Sequence, residues 1–360
     1  MKKILSILLS CVLGLGLVAC NSSSSNKSSS DSKEIAMITD IGTIDDKSFN
    51  QGTWEGIEAY AKKHNLSHEY YKPAKQSTDS YLEAIELAVK DGAKVVVAPG
   101  YLFEESIYIA QDQYPDVNFI LIDGNPHDST GKDYKTNDNA VSIVFAEEQS
   151  GYLAGYAAVK EGYTKLGFMG GIAFPAVVRF GYGFVQGADA AAKELSIDKV
   201  DIKYHYTGGF DATPKVQTLA SSWYTEGTEI IFACGGALGN SVVSAAESID
   251  GKKVIGVDVD QSIESDTVIT SAMKGLSAAV EQTLEDYYNN KFPGEESLTL
   301  GAEKNGVKLP IETSKFTKFT QADYDKIYKD LADGKIELEK DNIEKPTDLN
   351  VSVVSVRLIK

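Results

Sequence analysis

The stretch EIAMITDIGTIDDKSFNQGTWEG, Glu34 to Gly56, decides the architecture. It opens on a short apolar run and passes through a turn of Asp and Gly. It then continues as a helical pattern from Ser48 to about His64, with Trp54, Ile57 and Ala61 on one face. A strand feeding straight into an amphipathic helix is the first half of a βαβ unit. The alternation then repeats along the chain. Candidate strands are EIAMITD, AKVVVAPG, VNFILIDG, NAVSIVF, TKLGFMGG, VDIKYHYT, TEIIFACGG, KKVIGVD and TVITSAMK. Most are apolar with little alternation, as strands covered on both faces should be. Helical stretches fall between them, at Tyr81–Gly92, after Glu147, from about Ala176 to Leu195, and at Pro214–Gly227, Asn240–Asp250 and Leu276–Asn290. Gly92, Gly162 and Gly227 stand where helix C-caps are expected. The predicted class is α/β, with parallel, doubly wound sheets.

The ends of the chain bound the rest. MKKILSILLSCVLGLGLVAC has a basic start and an apolar core from Ile4 to Val18. That core is shorter than the ~18–20 residues a spanning helix needs, so residues 1–19 read as a signal peptide. Leu17-Val18-Ala19-Cys20 looks like a bacterial lipobox, with Cys20 as the acylated residue. Residues 20–33 are Ser-rich and suit a flexible tether. Losing Lys2 and Lys3 with the signal takes the net charge from −17 to −19. A chain this acidic repels phosphate backbones, which excludes nucleic-acid binding. Cys11 leaves with the signal and Cys20 is expected to carry lipid, so only Cys234 remains and no intrachain disulfide can form. Cys234 lies in the apolar run EIIFAC and reads as a buried, inert thiol. About 325 residues follow the tether, more than one typical core, and two lobes are expected. Their predicted extents are 34–146 plus about 273–305, and 147–272 plus about 306–360, with crossovers near Phe145–Glu147 and Lys274.

In open α/β sheets ligands sit beyond the carboxyl ends of the strands. The residues there are Asp40, Asp45, Asp46, Phe49 and Asn50 after the first strand, Asp123-Gly124-Asn125, Gly170-Gly171, Gly208-Gly209-Phe210, Gly235-Gly236, and Asp258, Asp260 and Gln261. Each has a plainer explanation. Asp and Gly make turns, the rings of Phe49 and Phe210 fit a core, and Ser48-Phe49-Asn50-Gln51 fits a capping box with Asp45 and Asp46 at the positive helix end. Phe210, between Gly209 and Asp211, is the better placed of the two rings for stacking. The pair in HNLSH spans a helix end, so no metal site is expected there.

Enzyme templates are absent. The first strand lacks G-x-G-x-x-G, and the chain has no P-loop, no H-E-x-x-H and no G-x-S-x-G elbow. The strongest enzymatic alternative is a surface nucleoside hydrolase using the cluster Asp40, Asp45 and Asp46. That family's calcium-binding D-x-D-P-G-x-D-D pattern meets Ile38 in place of its first Asp, Ile41 in place of Pro, and one extra residue before Asp45. A calcium cage needs several oxygens at fixed distances, so the departure argues against it. A sensor or adhesin on the same fold is a third class.

TDIGTIDDKSFNQGTWEG, FILIDG, FAEEQSGYLAGYAA, KLGFMGGIAFPAVVRFGYGFVQGA and VIGVDVDQ occur in order between Lys33 and Phe292. On these motifs the chain resembles the basic membrane protein family of lipoproteins, the nucleoside-binding components of ABC transporters, similar to the purine nucleoside receptor A group. The segment after Pro293 matches less clearly. The resemblance implies a type I periplasmic-binding-protein fold of two lobes closing on purine nucleosides, with no catalysis, cofactor or metal. Carried over by motif, Asp40 and Asn50 contact the base, Phe49 stacks on one face and Phe210 on the other. Asp123, Asp258 and Lys274 bind the ribose hydroxyls, with the backbone of Gly236 nearby. The implied partners are ABC permease and ATPase subunits and the membrane, through diacyl or triacyl lipid on Cys20. The Ser-rich tether and the lipobox suggest the outer face of a single-membrane cell, with a periplasmic anchor as the alternative.

Overall fold

A computed structural model describes residues 32–360. The predicted signal peptide, Cys20 and nearly all of the tether lie outside the described residues. The first sheet contains β1 (Ile35–Ile38), β2 (His68–Tyr71), β3 (Val95–Pro99), β4 (Asn118–Ile122), β5 (Ala140–Phe145) and β11 (Ser297–Leu300). The second contains β6 (Lys165–Gly170), β7 (Val200–Tyr206), β8 (Ile230–Cys234), β9 (Lys253–Asp258), β10 (Val268–Lys274), β12 (Val307–Lys308) and β13 (Val354–Leu358). The orders are β11-β5-β4-β3-β1-β2 and β12-β10-β9-β8-β6-β7-β13. Every pairing is parallel except that of β10 with β12. Each half repeats one doubly wound order, with its switch point beside β1 or β6.

The helices are α1 (Phe49–His64), α2 (Thr78–Lys90), α3 (Glu104–Gln113), α4 (Glu147–Lys160), α5 (Pro175–Glu194), α6 (Pro214–Thr225), α7 (Leu238–Glu247), α8 (Leu276–Tyr288) and α9 (Gln321–Ala332). The chain leaves the first sheet after Phe145 and builds the second through β10. That strand pairs with β9 as far as Met273 and ends at Lys274, after which the chain turns back toward the first sheet. Then α8 packs on α1, β11 joins the first sheet, and the tail recrosses to form β12, α9 and β13.

The central strands are buried along their length, wholly so at Val95–Pro99 and Ile230–Cys234, while β7 beside the edge strand β13 is only partly covered. The strands absent from the sequence expectation are β2, β11, β12 and β13, and these are the four sheet edges. An edge strand buries less, so its sequence carries polar residues and loses the apolar run that marks its neighbours. The tail is fixed by two buried carboxylates. Glu161 accepts the backbone N–H groups of Thr317 (2.7 Å), Lys318 (2.6 Å) and Phe319 (2.7 Å). Asp189 accepts those of Ser352, Val353 and Val354. Helices α4 and α5 meet backbone to backbone, because a Cβ on Gly155 would lie 2.0 Å from the Phe184 carbonyl oxygen.

Candidate functional site

A cavity of about 220 Å³ lies between the two sheets, at the carboxyl ends of their strands. Asp40, Phe49, Asn50, Asp123, Phe210, Gly236, Asp258 and Lys274 all line it. The residues implied by the resemblance therefore lie together, contributed by both halves of the molecule.

The loop after β1 begins the site. Asp40 Oδ1 accepts Gly42 N–H (2.7 Å) and Asn50 Nδ2 (2.9 Å). Asp46, not Ser48, caps α1. Its Oδ1 accepts the N–H groups of Ser48 (2.8 Å) and Gln51 (3.1 Å), and its Oδ2 accepts Asn50 N–H (3.0 Å) and Asn50 Nδ2 (3.1 Å). The expected Ser48 capping box does not form. Ser48 Oγ instead donates across the cleft to Asp258 Oδ2, at 2.5 Å. Burial pushes the carboxyls of Asp40 and Asp46 above their ordinary range, against the pull of these hydrogen bonds. Among the described residues no group of three or more His, Cys, Asp or Glu is arranged to hold a metal ion. Asp46 spends both oxygens on helix donors, and Asp45 is exposed.

Asp123 follows β4 and Asp258 ends β9, the fourth strand of each half, and both have left-handed backbone (φ 61° and 67°). Asp tolerates this conformation better than most residues. The turn aims both carboxylates at Lys274, at the end of β10. Lys274 Nζ contacts Asp123 Oδ2 and lies 3.5 Å from Asp258 Oδ1 and 3.6 Å from Glu147 Oε1. Its side chain is 2 % exposed. The ammonium also sits 4.6 Å above the Phe49 ring centroid. Burial pulls Lys274 down, but the three carboxylates overcome it and leave the ammonium above its ordinary value. Burial pushes Asp123 up, Lys274 pulls it back, and Glu147 and Asp258 add to the rise. Arg179 completes the cluster, with Nε donating to Glu147 Oε2 (2.6 Å) and Nη1 to Asp341 Oδ2 (2.9 Å). Glu147 and Arg179 sit in helices rather than at strand ends, so the strand-end rule passed over them.

The same rule, carried a few residues further, finds two more rings. Tyr101 follows β3 and Phe174 follows β6. Their ring centroids lie 4.8 Å apart across the cleft, and Phe174 lies 5.8 Å from Phe210. Gln261 Nε2 also crosses, donating to Lys47 O at 2.7 Å. Cys234 is buried in the cavity wall, and burial pushes its thiol well above the ordinary value. Two buried oxygens on the wall accept no hydrogen bond, Asn50 Oδ1 and Asp123 Oδ1. Such orphans each cost about 1–3 kcal/mol unless a donor reaches them.

Residues 33–343 match the family model described as ABC transporter substrate-binding protein PnrA-like. The chain is 31 % identical over 323 residues to the ABC transporter nucleoside-binding protein BmpA of Lactococcus lactis, covering 84 % of this chain and 87 % of that protein. It is 30 % identical over 366 residues to the CD4+ T-cell-stimulating antigen of Listeria innocua, covering 94 % and 98 %. Among solved structures, an ABC transporter solute-binding protein from Aeropyrum pernix has the same fold, with a TM-score of 0.72 at 20 % identity over 87 % of this chain and 94 % of that one.

Proposed function

The chain belongs to the PnrA-like family of ABC transporter substrate-binding proteins, and from that premise we propose that it captures purine nucleosides in the interlobe cavity for import. The observation that carries this reading is the composition of the cavity wall: rings from both lobes beside unpartnered buried acceptors. A nucleoside is neutral, has a flat π face and carries several hydroxyls. Stacking on Phe49 and Phe210 contributes about 1–3 kcal/mol per face. Hydroxyls donating to Asp123 Oδ1 and to Asp258 contribute roughly 1.5–3 kcal/mol each. Lys274 holds these two carboxylates in place as well as facing the sugar. A surplus of carboxylate disfavours a phosphate group, so nucleosides bind in preference to nucleotides.

Closure of the two lobes presents a combined surface to the permease, so ligand choice becomes transport specificity. Acylation at Cys20 would tether the receptor beside its transporter, on the extracytoplasmic face, with residues 20–33 as spacer. Calorimetry of the chain from Lys33 onward tests the binding reading. Purine nucleosides should bind, while free ribose, free bases and nucleotides bind far more weakly. Tight binding of ribose alone, or release of free base from inosine with turnover, would overturn it. Deletion of the gene should reduce nucleoside uptake, which separates a transport receptor from a sensor or adhesin.

A further inference from the structure

Resting on the nucleoside-binding reading, we propose that Gln261 is a positioning residue that latches the two lobes together and sets how long a captured nucleoside is held. The latch joins two loops, one after β1 and one after β9. Gln261 Nε2 donates to Lys47 O at 2.7 Å, and Lys47 Nζ pairs with Glu264. None of these three residues lines the cavity. They line a second groove between the lobes, of about 420 Å³, which reaches the crossover at Gly275. Any effect they have on capture therefore acts through the lobes and not by contact with the ligand.

Both partners are held in place for this contact. Gln261 is 8 % exposed. Its backbone N–H donates to Ser271 Oγ (3.0 Å), and its Oε1 accepts Val257 N–H (3.3 Å), which leaves Nε2 as the group that crosses. Gly256 makes the seat, since a Cβ there would lie 2.3 Å from Gln261 Oε1. Lys47 has left-handed backbone, with φ 60°. A lysine adopts that conformation only where its surroundings impose it, and such positions cluster at clamps and switches. Here the Lys47 N–H donates to Gln51 Oε1 (3.1 Å) within its own lobe, while its carbonyl accepts from the other lobe. The Lys47–Glu264 pair lies near the surface, where water and salt screen it, so it contributes little. The buried amide of Gln261 carries the latch. A hydrogen bond made only while the lobes are together multiplies the closure equilibrium, and one such bond corresponds to about a fivefold change. The ligand enters before the latch forms and leaves only after it breaks, so the change falls on release and not on association.

Two variants and two readouts test this. Gln261→Met keeps the length of the side chain and removes the donor. Gln261→Glu keeps the shape and the bond from Val257 N–H, but faces Lys47 O with an oxygen. By stopped flow with inosine, both should release the nucleoside at least about fivefold faster than wild type, with association within about twofold. Glu264→Gln should leave both rates within about twofold at physiological salt. Dyes on Glu83→Cys and Lys215→Cys, exposed positions on α2 and α6 in opposite lobes, report lobe separation by single-molecule energy transfer. In the ligand-free protein, each Gln261 variant should shrink the high-transfer fraction. Unchanged release in both variants, or a change that falls on association, overturns the latch and leaves nucleoside binding intact. If the wild-type chain does not bind inosine, that failure belongs to the nucleoside reading, and energy transfer alone decides the latch. The same high-transfer fraction in wild type and variants then overturns it.

Discussion

Lys274→Met tests the buried charge cluster on which the cavity is built. The methionine keeps a long apolar stem among Phe49, Phe145 and Phe180, whose ring centroids lie 4.6, 5.6 and 5.5 Å from the ammonium it replaces. It removes the one cation placed among Asp123, Asp258 and Glu147. Of the three, Arg179 then contacts only Glu147, through the bond at 2.6 Å. Asp123 and Asp258 are left as uncompensated buried carboxylates, and breaking a buried pair in this way costs about 3–5 kcal/mol. The loss is read as a drop in the urea midpoint at about pH 7.5, with the slope unchanged. Mild acid should recover part of the loss, because a protonated Asp123 no longer needs a cation. Adding Asp123→Asn to Lys274→Met removes one of the stranded charges, and the pair should be more stable than Lys274→Met alone. A Lys274→Met protein within about 1 kcal/mol of wild type, or a double variant no better than the single, would refute the reasoning.

Other consequences follow from single contacts. Asp123→Ala and Phe49→Ala should each weaken nucleoside binding by roughly 2–4 kcal/mol in calorimetry, the first through lost hydroxyl contacts and the second through lost stacking. Gly155→Ala drives a Cβ against the Phe184 carbonyl oxygen, 2.0 Å away, and should lower stability by about 1–3 kcal/mol or more, read as a lower melting temperature. Glu161 gives a pH dependence. Burial alone would push its carboxyl up, but the N–H groups of Lys318, Phe319 and Thr317 and the Thr317 hydroxyl outweigh it and hold it below the ordinary 4.5. A depressed folded-state value means the contribution is fully present above 4.5 and is lost as pH falls through the folded value. Glu161→Gln should therefore cost about 1–3 kcal/mol near neutrality, and that cost should shrink as pH falls progressively below the ordinary carboxylate value, by urea denaturation along the series.

Legibility in the sequence followed burial and locality. Val95–Pro99 and Ile230–Cys234 announce themselves because both faces are covered and every position is apolar, and the other interior strands do so in their mostly apolar runs. The edge strands HEYY, SLTL, VK and VSVRL do not, because half their surroundings are water or loop. The cavity wall was readable for the same local reason, since a residue just past a parallel strand must face the cleft. What stayed hidden was pairing over long separations. Nothing near Ser48 says that its hydroxyl spans to Asp258, which left Asp46 to cap the helix. Nothing near Glu147 says that it lies between Lys274 and Arg179. The tail from Phe316 onward is held by Glu161 and Asp189, two acidic residues in helical stretches that read as ordinary surface.

The central claim is tested most directly by a crystal structure of the protein with guanosine. It should show the purine against Phe49 and Phe210, a ribose hydroxyl within hydrogen-bond reach of Asp123 Oδ1, and the base edge on Asn50 Oδ1. Guanosine bound elsewhere, with both rings packed together and those two oxygens unmet, would contradict it.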